Sequence, residues 1–363
     1  MAVGTGFFAS KKGIITVGAI IGILAPILQK LGNPKNMGIC VACMERDIAG
    51  ALGLHRAEVV QYMRPEIIGF VLGSLIAALI FKEFRPRVGS KPIVRFFLGV
   101  FAMIGALVFL GCPWRALLRL AGGDGNAILG ILGLVAGIWI GTFFLKSGYS
   151  LGRSQSTYSS VGWLMPLTML AFLALMLIFP QEQGKPKTGI LFYSVQGPGA
   201  QHAPLLISLA VGLVVGFLAQ RTRFCTMGAI RDLILFRQIH LLSGVLALLV
   251  LAFVTNFILG QFSPGFKDQP IAHNMHLWNF LGMLLAGLAF CLAGGCPGRQ
   301  LFMAGEGDGD SAVFVWGMII GAAFAHNFGL ASSPKGIGPY GIAGVIVGLA
   351  FCIFVGLTMR QKQ

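Results

Sequence analysis

Apolar residues in this chain come in long runs rather than in strand-like alternation. Ten runs, near residues 14–29, 66–82, 93–111, 126–146, 161–180, 203–220, 239–260, 276–294, 311–330 and 338–358, approach as helices the ~30 Å hydrocarbon core of a bilayer. The shortest need tilt or local thinning, so nine or ten spans are expected. Between them lie four apolar pieces too short to cross, at residues 40–54, 113–121, 225–236 and 297–305. Each begins at a cysteine or one residue after it. The pattern predicts an all-α integral membrane protein in which four short half-helices re-enter between the spans.

The short pieces are written twice. Gly111-Cys112-Pro113-Trp114-Arg115, closed by Gly123-Asp124-Gly125-Asn126, returns as Gly295-Cys296-Pro297-Gly298-Arg299, closed by Gly307-Asp308-Gly309-Asp310. Cys40 with Arg46-Asp47 returns as Cys225 with Arg231-Asp232, and the cysteines of each half stand 72 and 71 residues apart. Such self-similarity marks a duplication, with residues 1–180 and 203–363 as repeats and 181–202 as the linker. Five spans per half is odd, so the second repeat is expected to run through the membrane in the opposite sense. Lys82, Arg85, Arg87, Lys91, Arg95, Lys146, Arg153, Arg221, Arg223, Arg360 and Lys362 fall on one side, which the positive-inside rule makes cytoplasmic together with both termini. The linker then lies outside, and the Ser- and Gly-rich stretch 147–160 forms a flexible cytoplasmic loop. Inverted repeats with interrupted helices near the midplane are the plan of many transporters.

Composition narrows the classes further. With 56% apolar and 11% charged residues the chain is no ordinary soluble domain, where about 25% are charged. The net charge of +15 sits between the apolar runs, which favours anionic lipid or an anionic substrate over nucleic acid. Lys11 and Lys12 before an apolar run imitate a signal peptide, but no small-residue cleavage site follows, so this run is read as the first span. Seven cysteines inside apolar segments do not make a disulfide framework. Gly305-x-Gly307-x-Gly309 lacks both the dinucleotide spacing and the P-loop lysine, and no cofactor is expected. His273 and His276 around Met275 read as a solvated outer loop rather than a metal site.

In Gly-Cys-Pro the proline suits the first helical turn, which places Cys112 and Cys296 at N-caps, where helix N–H groups attract anions. Arg115 and Arg299 add positive charge within that turn and are candidate lining residues. Arg46 with Asp47, and Arg231 with Asp232, are expected to form ion pairs that support the half-helices. Asp124 and Asp308 read as C-terminal caps of the short pieces, followed by Asn126 and Asp310 as N-caps of the next spans. Four repeated thiols near the midplane need a reason that packing does not supply, since Ala would pack as well. A polarizable, weakly donating thiol suits a sulfur- or selenium-bearing anion that must be bound and released. Cys40, Cys112, Cys225 and Cys296 are therefore the expected translocation residues. Cys43 and Cys291 are further lining candidates, and Cys352 is expected in the core. Glu45 near the entrance would, if ionised, repel a dianion.

With these residues in hand, Arg223-Phe224-Cys225-x2-Gly228-Ala229-x-Arg231-Asp232 and the two Gly-Cys-Pro-x-Arg segments resemble the YeeE/YedE family of membrane proteins with sulfur-transport domains. The resemblance implies an hourglass-shaped inverted-repeat fold in which cysteines at a constriction relay thiosulfate, roles that fall by motif position on Cys40, Cys112, Cys225 and Cys296. The stretch from Gly32-Asn33-Pro34 through Cys40-x2-Cys43 to His55 resembles the YedE branch associated with selenium metabolism, and it carries Cys43, Met44 and Glu45 where the second copy has Gly228, Ala229 and Ile230.

The expected function is uptake of a small inorganic selenium or sulfur compound across a bacterial inner membrane, selenium favoured, with thiosulfate as the alternative cargo. Expected partners are the cargo, membrane lipid and a cytoplasmic sulfur or selenium carrier protein. The chain is not expected to be an enzyme. The alternative of another class is a membrane thiol oxidoreductase or sulfurtransferase working through Cys40 and Cys43.

Overall fold

The computed structural model describes residues 6–360, which leaves Lys362 outside, and its regular structure is almost entirely helical. The helices in chain order are α1 (Lys11–Lys30), α2 (Val41–Ala51), α3 (Pro65–Ile80), α4 (Pro92–Phe109), α5 (Pro113–Ala121), α6 (Asn126–Lys146) and α7 (Ser159–Ile178) in the first half. The second half holds α8 (Leu205–Thr222), α9 (Thr226–Phe236), α10 (His240–Ile258), α11 (His276–Ala293), α12 (Pro297–Gly305), α13 (Gly309–Asn327) and α14 (Gly341–Thr358). Among the described residues nine of these, all but α3 and the short α2, α5, α9 and α12, are long and apolar enough to cross a membrane. At 16 residues α3 is about 24 Å long, short of a full crossing without tilt.

The main packings come in exchangeable pairs. Helix α1 packs on α10 and α3 on α8, α4 packs on α13 and α6 on α11, and α4 meets α11 in the middle. Renaming each helix of the first half as its counterpart in the second turns every one of these packings into another of the set.

Close approach is bought by glycine. A side chain at Gly18 would collide with the Gly244 carbonyl, and one at Gly73 with that of Leu213. At the α4–α11 crossing, Gly105 and Gly282 each face the other's backbone, where an added Cβ would fall 2.5 Å and 2.9 Å from the opposing carbonyl oxygen. Lipid supplies no hydrophobic drive between helices, so such backbone-to-backbone contact is what holds them together.

The loops are more structured than their composition suggests. Residues 147–160 are pinned where Gln155–Ser156 pairs antiparallel with Arg87–Val88. Residues 181–202 fold over the first half: the Gln61 backbone N–H donates to Ser194 Oγ at 2.8 Å, and the Tyr62 and His202 rings stack 4.3 Å apart. His273, expected in a solvated loop, is buried instead, with its Nε2 2.8 Å from the Val108 carbonyl. The loop before α11 folds back onto the end of α4, and the imidazole satisfies a carbonyl that the helix terminus leaves unpaired. Among the described residues no group of three or more metal-ligating side chains is found.

Candidate functional site

Each of the four half-helices starts at a cysteine. Cys40, Cys112, Cys225 and Cys296 are the N-caps of α2, α5, α9 and α12. Proline follows directly in α5 and α12, where its fixed φ fits the first turn and its missing N–H leaves no unmet donor. In α2 and α9 the cysteine itself caps the helix: the Cys43 backbone N–H donates to Cys40 Sγ at 3.4 Å, and that of Gly228 to Cys225 Sγ at 3.2 Å.

The caps meet in pairs. Cys40 Sγ lies 3.6 Å from Cys112 Sγ, and Cys225 Sγ lies 3.7 Å from Cys296 Sγ. Two helix N-termini thus converge on one point in each half, and the convergent N–H groups favour an anion there. All four are free thiols.

The two sites differ in charge and in access. In the first, Arg115 is fully buried, and its guanidinium bonds to the carbonyls of Leu110 at 2.5 Å, Asn36 at 3.2 Å and Ile271 at 3.3 Å. Its Nη1 also lies 3.2 Å from Cys43 Sγ. No carboxylate pairs with it among the described residues, so its charge is available to an anion. Farther out, Asp47 is shared by Arg46 and Arg64, each at 2.7 Å. Arg119 is neutralised by Asp124 at 2.6 Å.

In the second site Arg299 reaches Glu306 at 3.3 Å, and Glu306 also pairs with Arg223 at 3.0 Å. Arg231 pairs with Asp232 at 2.8 Å. Beside this site opens a cavity of about 680 Å³ lined by Arg85, Arg87, Arg221, Arg223, Glu83 and Glu306, with Thr222 and Leu241. Burial pushes the Glu83 carboxyl up, but the Gln220 amide and the Arg221 and Arg223 guanidinium groups outweigh it and hold the carboxyl below its ordinary range.

Other expected residues fall in different places. Cys43 joins the first pair through Arg115, whereas Cys291 faces α6, where a Cβ on Gly141 would fall 2.6 Å from its Sγ. Cys352 is buried in the core, as expected. Glu45 does not stand at an entrance: it is fully buried in α2 and neither carboxylate oxygen has a partner. Asp308 caps α13 by accepting from the Ser311 backbone N–H at 2.9 Å. The sequence did not flag Arg64, Glu306 or Trp114, although Arg64 just before Pro65 at a helix start and Glu306 at the end of a half-helix are local signals that could have found two of them.

Residues 221–356, which hold Cys225, Cys291 and Cys296, match the family described as sulphur transport. The match covers a little over a third of the chain, all of it in the second half. The chain is 32% identical over 99 residues to the thiosulfate transporter TsuA of Spirochaeta thermophila, covering 27% of this chain and 29% of that protein. It is 31% identical over 103 residues to the thiosulfate transporter TsuA of Escherichia coli, covering 28% and 29%. The chain thus matches less than a third of the length of either relative.

Proposed function

We propose that this protein takes up a small sulfur- or selenium-bearing anion across the bacterial inner membrane, passing it between the pair Cys40–Cys112 and the pair Cys225–Cys296. The observation that carries the reading is the repeated geometry: in each half two half-helix N-caps bring two thiols to 3.6 and 3.7 Å. Convergent helix N-termini attract the anion, and neutral thiols hold it through weak, polarizable contacts that release easily. Residues 1–180 and 203–363 are the inverted repeats and 181–202 the linker, with both termini cytoplasmic. The exchangeable helix packings support this plan. A cytoplasmic sulfur or selenium carrier protein draws the cargo from the inner side. No step requires a covalent intermediate, and the protein is not an enzyme.

The relatives' names favour thiosulfate as cargo. One observation favours selenium: Cys43, absent from the second copy, puts a third sulfur 3.2 Å from Arg115 beside the first pair. Three thiols make that site softer than its counterpart and suit the more polarizable chalcogen.

Uptake of labelled thiosulfate, selenite and selenide into proteoliposomes tests both levels. Cys112→Ser and Cys296→Ser should each lower uptake tenfold or more, and Cys43→Ala should shift preference from selenium toward thiosulfate. Full uptake by both serine variants sinks the transport route. Unchanged preference in Cys43→Ala sinks the selenium reading alone. Covalent persulfide accumulating on Cys40 during turnover would favour the thiol oxidoreductase instead.

A further inference from the structure

Between the two cysteine pairs stands an aromatic block. Trp114 is the second residue after Cys112, and its ring reaches Gly298, the second residue after Cys296, where an added Cβ would fall 3.2 Å from the indole. Trp114 and Gly298 are therefore the same position in the two copies, large in one and empty in the other. Phe224, immediately before Cys225, packs against the indole at 5.9 Å between centroids. Phe70 at 5.9 Å and Phe302 at 6.1 Å complete the cluster. The indole thus touches neighbours of three of the four paired cysteines.

Trp114 is 1% exposed, and its Nε1–H has no partner. A buried donor left unpaired loses its hydrogen bonds to water without replacement, and a phenylalanine here would avoid that loss. The ring stands between the two pairs, and an indole N–H can donate but cannot accept, so it suits an anion.

We propose that Trp114 is a substrate-contacting and selectivity residue: its ring closes the route between the cysteine pairs, and its Nε1–H donates to the anion as it crosses. The inference rests on the reading that cargo moves between those pairs. Small ions that cannot displace the ring are held back, while an anion that accepts from the N–H is met halfway.

The test pairs two substitutions with the cysteine variants in proteoliposomes. Trp114→Phe keeps the block and removes the donor, and it should lower thiosulfate uptake about tenfold without raising passive chloride efflux. Trp114→Ala removes the block and should raise that efflux severalfold. A direct reading on the wild-type protein in detergent uses 15N-indole labelling, with the Trp114 signal assigned by its loss in Trp114→Phe. Adding thiosulfate should move that resonance downfield. Wild-type uptake in Trp114→Phe and an unmoved indole signal, with Cys112→Ser inactive, overturn the role of Trp114 and leave the cysteine route standing. Full activity in Cys112→Ser overturns the route and this inference with it.

Discussion

Arg115 and Arg299 hold the same place in the two copies but do different work. Arg115 spreads its guanidinium over three backbone carbonyls and touches Cys43, with no carboxylate to cancel its charge. Lysine is a point charge without the planar fork and cannot reproduce that set. Arg115→Lys is therefore expected to leave buried carbonyls unpaired, at about 1–3 kcal/mol, and to lower uptake tenfold or more. Arg299 makes one ion pair with a carboxylate that Arg223 also serves, so Arg299→Lys should keep most of its uptake. Thermal melts beside uptake separate the two effects, and equal loss in both variants would refute the asymmetry. Glu45 points the other way. A fully buried carboxyl with both oxygens unpartnered destabilises α2, and Ile230 fills the equivalent place in the second copy. Glu45→Ile should raise the melting temperature in detergent by several degrees. A fall would mean that Glu45 has a partner in the membrane.

At the level of elements, the linker 181–202 is a strap over the first half, tied to residues 59–64 between α2 and α3, and its anchor titrates. Burial, the largest influence, pushes the His202 imidazole below its ordinary value, because the ring is stacked on Tyr62 and lies near Arg64. A histidine whose pKa is depressed on folding adds nothing unfavourable above its unfolded value of about 6.5, and costs stability as the pH falls below it. Hydrogen exchange of residues 181–202, corrected for intrinsic rates, should therefore quicken between pH 6.5 and 5, and His202→Phe should abolish the pH dependence. The spans were legible because a run such as 126–146 has no other way to satisfy its backbone in lipid, and α6 occupies Asn126–Lys146. The half-helices were legible because Gly-Cys-Pro sets an N-cap locally: residues 113–121 and 297–305 are α5 and α12. The strap, the buried His273 and the sharing of Asp47 by Arg64 were not. Each depends on a carbonyl, ring or carboxylate brought from a distant loop, which leaves no periodic mark in the chain.

Over the whole molecule the two halves share a packing plan but not an exposure. The guanidinium of Arg115 and the thiols of both pairs are buried, whereas Arg223, two residues before Cys225, exposes 50% of its side chain in the 680 Å³ cavity. The charged cavity opens on the side that carries Arg85, Arg87, Arg221 and Arg223, which on the proposed topology is the cytoplasm. Single-cysteine variants make this measurable. A membrane-impermeant maleimide should label Cys225 from inside-out vesicles at least tenfold faster than it labels Cys112 from right-side-out vesicles. Equal labelling from both sides would mean that the two pairs are equally accessible. Faster labelling of Cys225 from right-side-out vesicles would reverse the topology while leaving the asymmetry in place.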